Sequence, residues 1–204
     1  MLKNYLKSAL RFIKHNKVFA GINLLGLSIA LAASFIMLLY VINELSYNRC
    51  HKNSWRVYRV LNYFVDFKNI QAGTPYVLAT ALKDEFPQVE KAVNTRYMRG
   101  LSLKLKDQSV IVVGDAIATN SDIFDIFTLP LISGSSSENL LDELNSILLS
   151  RSLAEKVFPG QNPVGQEIVG MVNNTEQIFM VTGVFEDLPQ NSTLRTQCLV
   201  NSRW

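Results

Sequence analysis

Side chains able to do chemistry are few in this chain, and they are scattered. Asp122 and Asp125 are spaced like an acid pair, yet they flank Ile123 and Phe124 on one short amphipathic turn, which describes a solvated face. His15 and His51 lie on opposite sides of a long apolar run, and no paired Cys or His spacing suits a metal ion. Neither GxxxxGK[ST] nor GxGxxG occurs, so no phosphate cradle is expected. The serines include none in GxSxG and none with an evident base. No catalytic residue, cofactor site or metal site is assigned, and an enzyme is not expected. Cys50 and Cys198 are the two cysteines. A disulfide between them is chemically allowed in an oxidising compartment, two small hydrophobes are the other reading, and spacing does not decide between them.

What the sequence does specify is a long uncharged stretch, VFAGINLLGLSIALAASFIMLLYVIN, from Val18 to Asn43, between Lys17 and Glu44. At about 1.5 Å per residue a helix of this length spans roughly 39 Å, against about 30 Å of hydrocarbon in a bilayer. A soluble core helix of that length normally carries charge on one face. The run is also too long for a signal-peptide core, and its alanines are followed by FIMLLYVI rather than a polar mature start. An uncleaved membrane anchor is therefore expected, with the lipid bilayer as its first partner. Its serines can return their hydroxyls to the helix backbone, whereas Asn23 needs a partner. Gly26, Ala30 and Ser34 recur every four residues and make a smooth stripe on which another helix could pack.

The flanks give an orientation. Residues 1–17 carry Lys3, Lys7, Arg11, Lys14 and Lys17 without an acid, which keeps that side cytoplasmic. Leu2, Tyr5, Leu6, Ala9, Leu10 and Ile13 form the apolar side of an amphipathic helix there, suited to the membrane surface or to a cytoplasmic partner. The chain holds 20 basic and 17 acidic residues; without the five basic leader residues the balance is 15 to 17. The basic pI is thus no sign of nucleic-acid binding. The expected organisation is a basic cytoplasmic-side helix over 1–17, a transmembrane helix over 18–43, and one extracytoplasmic domain over 44–204.

Within that domain, Arg56 to Phe67 reads as strand. Thr74-Pro75 reads as the start of a helix that runs through Glu85 and stops at Pro87, with Leu78, Ala81, Leu82 and Phe86 on its buried face. VEKAVNTRYM reads as strand, and LSLKLK and SVIVVG as a hairpin around Asp107-Gln108. SDIFDIF is a short helix capped by Asn120 or Ser121, and LISGSSSENLLDE a loop. SILLS is a strand, Ser150 or Ser152 caps a helix to Phe158, and EIVGMV and QIFMVTGVFED form a hairpin around Asn173-Asn174. Strands and helices mix without regular alternation, so the expected class is α+β, one N-terminal transmembrane helix followed by a mixed α+β extracytoplasmic domain.

Several stretches carry a resemblance: LKNYLKSALRFIKHNKVFAGINLLGLSIALA, NELSYNRCHKNSWRVYRV, TPYVLATALKDEFPQVEKAV, SDIFDIFTLPLISG, SRSLAEKVFPGQNPVGQEI and VTGVFEDLPQNSTL. In this order they resemble the N-terminal part of permease subunits of the MacB and FtsX type of ABC transporters, the second and the last being the most specific. The resemblance implies a bacterial inner-membrane protein whose first helix leads into a periplasmic core domain. It implies further membrane helices, a homodimer of the full-length permease, and a cytoplasmic ABC ATPase whose hydrolysis moves the outer domain for efflux or lipoprotein or peptide handling. The later helices and the ATPase-contacting loop are absent from these 204 residues, so a fragment or truncated product without transport of its own is expected. Glu44, Leu45, Ser46, Tyr47, His51, Arg56, Tyr58 and Arg59 match the membrane-exit motif and are expected to seat the domain on the membrane. The family pattern has an aspartate and an aromatic where this chain has Asn48 and Cys50. The alternative reading is a single-pass anchored sensor or binding module.

Overall fold

The computed structural model describes residues 2–65, 68–105, 107–134, 139–172 and 175–201. The chain divides between Tyr47 and Asn48 into two compact units.

The first unit is helical. Helix α1 (Leu2–His15) ends at Asn16, whose φ of −115° and ψ of 56° interrupt the helix before α2 (Lys17–Leu45). Helix α2 is 29 residues long and apolar enough to cross a membrane. It takes in the charged residues at both ends of the apolar run, because the backbone ladder continues past the last uncharged residue. Ser28 donates to the Leu24 carbonyl at 2.7 Å and Ser34 to that of Ala30 at 2.9 Å. These bonds are the backbone return expected of serines in an apolar helix.

The second unit opens with a 3-10 turn (Ser54–Arg56), a small antiparallel pair β1 (Asn62–Phe64) and β2 (Asn69–Gln71), and helix α3 (Leu78–Glu85). Then follow β3 (Arg96–Met98), β4 (Ser102–Lys104), β5 (Val110–Val112), β6 (Ala116–Thr119), α4 (Ile123–Ile126), β7 (Leu131–Gly134) and β8 (Ser146–Ser150). Helix α5 (Arg151–Val157), β9 (Glu167–Val172), β10 (Thr175–Phe185) and β11 (Cys198–Asn201) complete the described elements.

Strands β3 to β11 form a mixed sheet in the order β3-β6-β11-β8-β10-β9-β4-β5, with β7 also on β10. Strand β10 holds it together. Thr175–Met180 pairs antiparallel with β9, while Met180–Phe185 runs parallel to β8 and its last residues take β7 on the other edge. Both faces of the centre are covered. Ile147 and Leu149 of β8 face one core with α5 and Phe179, while Leu148 faces a second with Phe185, Leu199 and Ile123. SILLS is continuous rather than alternating in character for that reason, since a strand buried on both faces needs apolar side chains at odd and even positions.

Several sequence-based expectations are corrected. Of the run from Arg56 to Phe67, whose residues 66–67 lie outside the described ones, the described strand is Asn62–Phe64; Arg56 closes the 3-10 turn, and residues 57–61 have no ladder partner among the described residues. Helix α3 starts at Leu78 with Pro75 in the preceding turn, and Thr74 does not cap it. Phe86 is 49% exposed rather than buried, because it precedes Pro87 and adopts an extended conformation that takes it off the helical face. Neither Asn120 nor Ser121 occupies the α4 cap position, which is held by Asp122. Leu131–Gly134 is strand β7, not loop. There Gly134 (φ +135°) lies against Gly183, and a Cβ at Gly134 would stand 2.9 Å from the Thr182 carbonyl oxygen. The hairpins β4–β5 and β9–β10 and strand β8 form as expected, and Ser150 rather than Ser152 is the α5 cap, accepting from the Leu153 N–H at 3.4 Å. The Asn173-Asn174 turn and the serine run 135–137 lie outside the described residues.

Candidate functional site: the clamp after the long helix

Three residues beyond the end of α2 the chain is fastened to the domain. Asn48 has a φ of 60°, a left-handed conformation that asparagine tolerates better than most side chains. That conformation points both ends of its amide at one residue. Asn48 Nδ2 donates to Thr193 Oγ1 at 2.6 Å, and the Thr193 N–H donates to Asn48 Oδ1 at 2.7 Å. The Asn48 N–H donates to the Asn191 carbonyl at 2.9 Å, and the Lys52 N–H donates to Thr128 Oγ1 at 2.9 Å.

His51 lies between these contacts, 3% exposed. Its Nε2 is 3.1 Å from Ser192 Oγ, and its ring meets Phe127 edge-on with centroids 5.1 Å apart. Ser192 Oγ also donates to the Leu194 carbonyl at 3.2 Å. Nδ1 makes no hydrogen bond of good geometry among the described residues. Burial lowers the His51 pKa, and the Thr128 backbone opposes that pull. Ser192 and His51 have the residue types of a nucleophile and its base. Their arrangement is structural: the serine hydroxyl is committed to a carbonyl, no carboxylate among the described residues orients Nδ1, and Ser192 and His51 are both buried.

The clamp joins the two stretches that carry the resemblance most specifically, NRCHKN and PQNSTL. Two more motif pairs meet elsewhere. Arg151 pairs with Glu186 at 2.5 Å, and Asp187 receives the Ser152 hydroxyl at 2.6 Å and its N–H at 3.2 Å, which joins SRSLAEKV to FEDLP. Lys91 pairs with Asp125 at 2.7 Å and reaches Asp122 at 4.0 Å, which ties VEKAV to SDIFDIF. These motifs are docking contacts between segments far apart in sequence.

The expected exit-motif residues divide accordingly. Glu44 and Leu45 form the last turn of α2, Ser46 donates to the Asn43 carbonyl at 2.6 Å, and the Tyr47 N–H donates to that of Glu44. His51 is buried in the clamp, whereas Tyr58 is 84% exposed and Arg59 is exposed. Arg56 pairs with Glu90, and its guanidinium lies 5.4 Å from the Trp55 ring centre. Asn48, Thr128, Ser192 and Thr193 were not singled out as site residues from sequence. The one available signal was the place of Asn48, Ser192 and Thr193 inside the two most specific motifs and of Thr128 inside SDIFDIFTLPLISG. Gly26, Ala30 and Ser34 follow one line on α2, with open space over Gly26. Cys50 is exposed, Cys198 is buried, and both are free thiols. Among the described residues no three His, Cys, Asp or Glu side chains are placed to share a metal ion.

The model of the MacB-like periplasmic core domain matches residues 20–201. Among solved structures, the chain is similar to a domain of a putative permease protein from Porphyromonas gingivalis, with 27% identity and a TM-score of 0.54 over 62% of this chain and 57% of that one. It is also similar to the periplasmic region of MacB from Actinobacillus actinomycetemcomitans (16% identity, TM-score 0.44, 76% and 63% covered). A third similarity is to the extracellular domain of the noncanonic ABC-type transporter YknZ from Gram-positive bacteria (18%, 0.39, 54% and 54%). The match therefore spans a little over half the length of the Porphyromonas gingivalis domain. No curated protein matches the chain significantly.

Proposed function

Because the chain belongs to the family of MacB-like periplasmic core domains, which are parts of ABC transporter permeases, we propose that it passes motion from a membrane helix to an extracytoplasmic domain. Helix α2 crosses the bacterial inner membrane once, with residues 1–17 in the cytoplasm and residues 44–204 outside. Hydrolysis by a partner cytoplasmic ATPase supplies the motion, in a homodimer of the complete permease, for efflux or for lipoprotein or peptide handling. The observation that carries this reading is the clamp. Asn48, His51 and Lys52 are fixed to Asn191, Ser192, Thr193 and Thr128, so a pull on the chain at Asn48 acts on the sheet domain rather than paying out slack.

Helix α2 would find its neighbours along Gly26, Ala30 and Ser34. Asn23 lies on the same side and has no polar partner among the described residues, a cost in hydrocarbon that a packed helix relieves. Ala30→Leu should leave insertion intact and weaken assembly of the complete permease.

The test uses the complete reading frame. Alkaline phosphatase fused after Trp204 should be active and a cytoplasmic reporter there inactive. In the assembled transporter, Asn48→Ala should uncouple ATP hydrolysis from transport while Asn48→Asp does not. An inactive phosphatase fusion would overturn the orientation, and unchanged coupling in Asn48→Ala would overturn the role of the clamp. Continuation of the frame into a cytoplasmic signalling domain after one more span would favour an anchored sensor instead.

A further inference from the structure

We propose that the segment Arg49–Arg59 is a phospholipid headgroup contact, in which Arg49, Lys52 and Arg59 bind lipid phosphates and Trp55 and Tyr58 settle among the headgroups. The inference rests on the reading of α2 as a membrane anchor.

Charge is the first observation. From Leu45 to Val65 there are four basic residues, Arg49, Lys52, Arg56 and Arg59, and no acidic one. From residue 66 onward the chain carries 11 basic against 16 acidic residues, so the stretch nearest the helix and the body behind it have opposite sign. Arg56 is neutralised by Glu90. Arg49, Lys52 and Arg59 are exposed, and none is ion-paired among the described residues. Clustered cations of this kind next to a spanning helix are drawn to anionic lipid.

Exposure of aromatic rings is the second. Trp55 is 77% and Tyr58 84% exposed, although the same domain buries Phe179 and Phe185 completely. Large amphipathic rings left in water on a domain with a good core call for an environment apolar at one end and wet at the other, which is what the headgroup layer provides.

Reach is the third. Helix α2, at 29 residues, is about 43 Å long, so it exceeds the hydrocarbon and its end at Leu45 falls in the headgroup zone. Arg49 follows four residues later and Trp55 ten. The turns at Asn48, His51 and Ser54 keep the segment itself compact, and the clamp fixes its backbone so that binding costs little ordering. A protein partner would need complementary acidic groups, and the acidic surplus of this chain lies in its own body, where Glu90 has already taken Arg56.

The test uses the full chain with Trp204→Phe, which leaves Trp55 as the single tryptophan, reconstituted in vesicles of phosphatidylethanolamine and phosphatidylglycerol at 3:1. Retention on the vesicles after alkaline carbonate washing reports the anchor separately. Expected are a blue-shifted Trp55 emission, quenching by lipids brominated in the upper acyl chain, and an iodide quenching constant at least halved relative to detergent. High salt, phosphatidylcholine vesicles or the triple variant Arg49→Gln, Lys52→Gln, Arg59→Gln should each reverse much of the shielding, with Asn48 contacts and circular dichroism unchanged. A washed, anchored chain whose Trp55 stays open to iodide overturns this inference and leaves the anchor standing. Loss of the chain on washing overturns the anchor itself. Shielding that is equal in detergent and grows with protein concentration assigns the surface to a protein contact and overturns the lipid reading.

Discussion

Replacing Asn48 separates backbone strain from hydrogen bonding at the clamp. With Asn48→Ala, a residue without a polar side chain must hold a φ of 60°, at a cost of about 1–2 kcal/mol. The two side-chain bonds to Thr193 are lost as well. Thr193 is exposed and water can replace them in part, so their loss is set at ~1 kcal/mol together. The sum is about 2–3 kcal/mol. Asn48→Gly removes the strain and keeps the bond loss, for ~1 kcal/mol. Asn48→Asp keeps a side chain tolerant of this conformation, and its carboxylate can accept from both the Thr193 N–H and the Thr193 hydroxyl, so its change should stay within about 0.5 kcal/mol. Urea unfolding of the detergent-solubilised chain, followed by circular dichroism, measures the series. Asn48→Ala should shift the midpoint down by about 1 M or more, with Asn48→Gly between it and the parent. Equal midpoints for all three variants, or an Asp variant as unstable as the Ala variant, would refute the reasoning.

His51 should make the domain acid-sensitive. Its folded-state pKa lies below the unfolded value of 6.5, so the unfolded chain binds the proton first. The stabilisation is complete above about pH 6.5, is lost as pH falls from there to the folded pKa, and changes no further below it; His51→Gln should flatten that part of a plot of urea midpoint against pH. Gly170→Ala should destabilise by about 1–3 kcal/mol, because its Cβ would lie 2.7 Å from Phe179 Cε2 across the β9–β10 pair, and Phe179→Leu in the same chain should recover part of the loss in thermal melts. Thiol labelling of the native chain should modify Cys50 and spare Cys198, whose thiol burial pushes up to about 12, until unfolding opens β11; equal labelling of both would contradict the buried position of β11.

The helices of the first unit were legible because each follows from a local rule. An uncharged run as long as Val18–Asn43 specifies a helix whatever surrounds it, and the spacing of Leu2 to Ile13 specifies an amphipathic one. The β4–β5 and β9–β10 hairpins were legible because their partners are adjacent in sequence, as was β8, whose five residues are all buried. Strand β11 and the parallel pairs it forms with β6 and β10 forms with β8 were not, since nothing local in CLVN or AIAT names a partner many residues away. Leu131–Gly134 was misread for the same reason: glycine in LISG signals a loop until Gly183 lies opposite it, and then it signals close approach of two strands. The exit motif was visible as a motif, but its division into a buried clamp and an exposed basic and aromatic face was not. Tertiary structure decides it, because the return of Asn191–Thr193 to Asn48 encloses His51, while Trp55 is left on the surface of the domain.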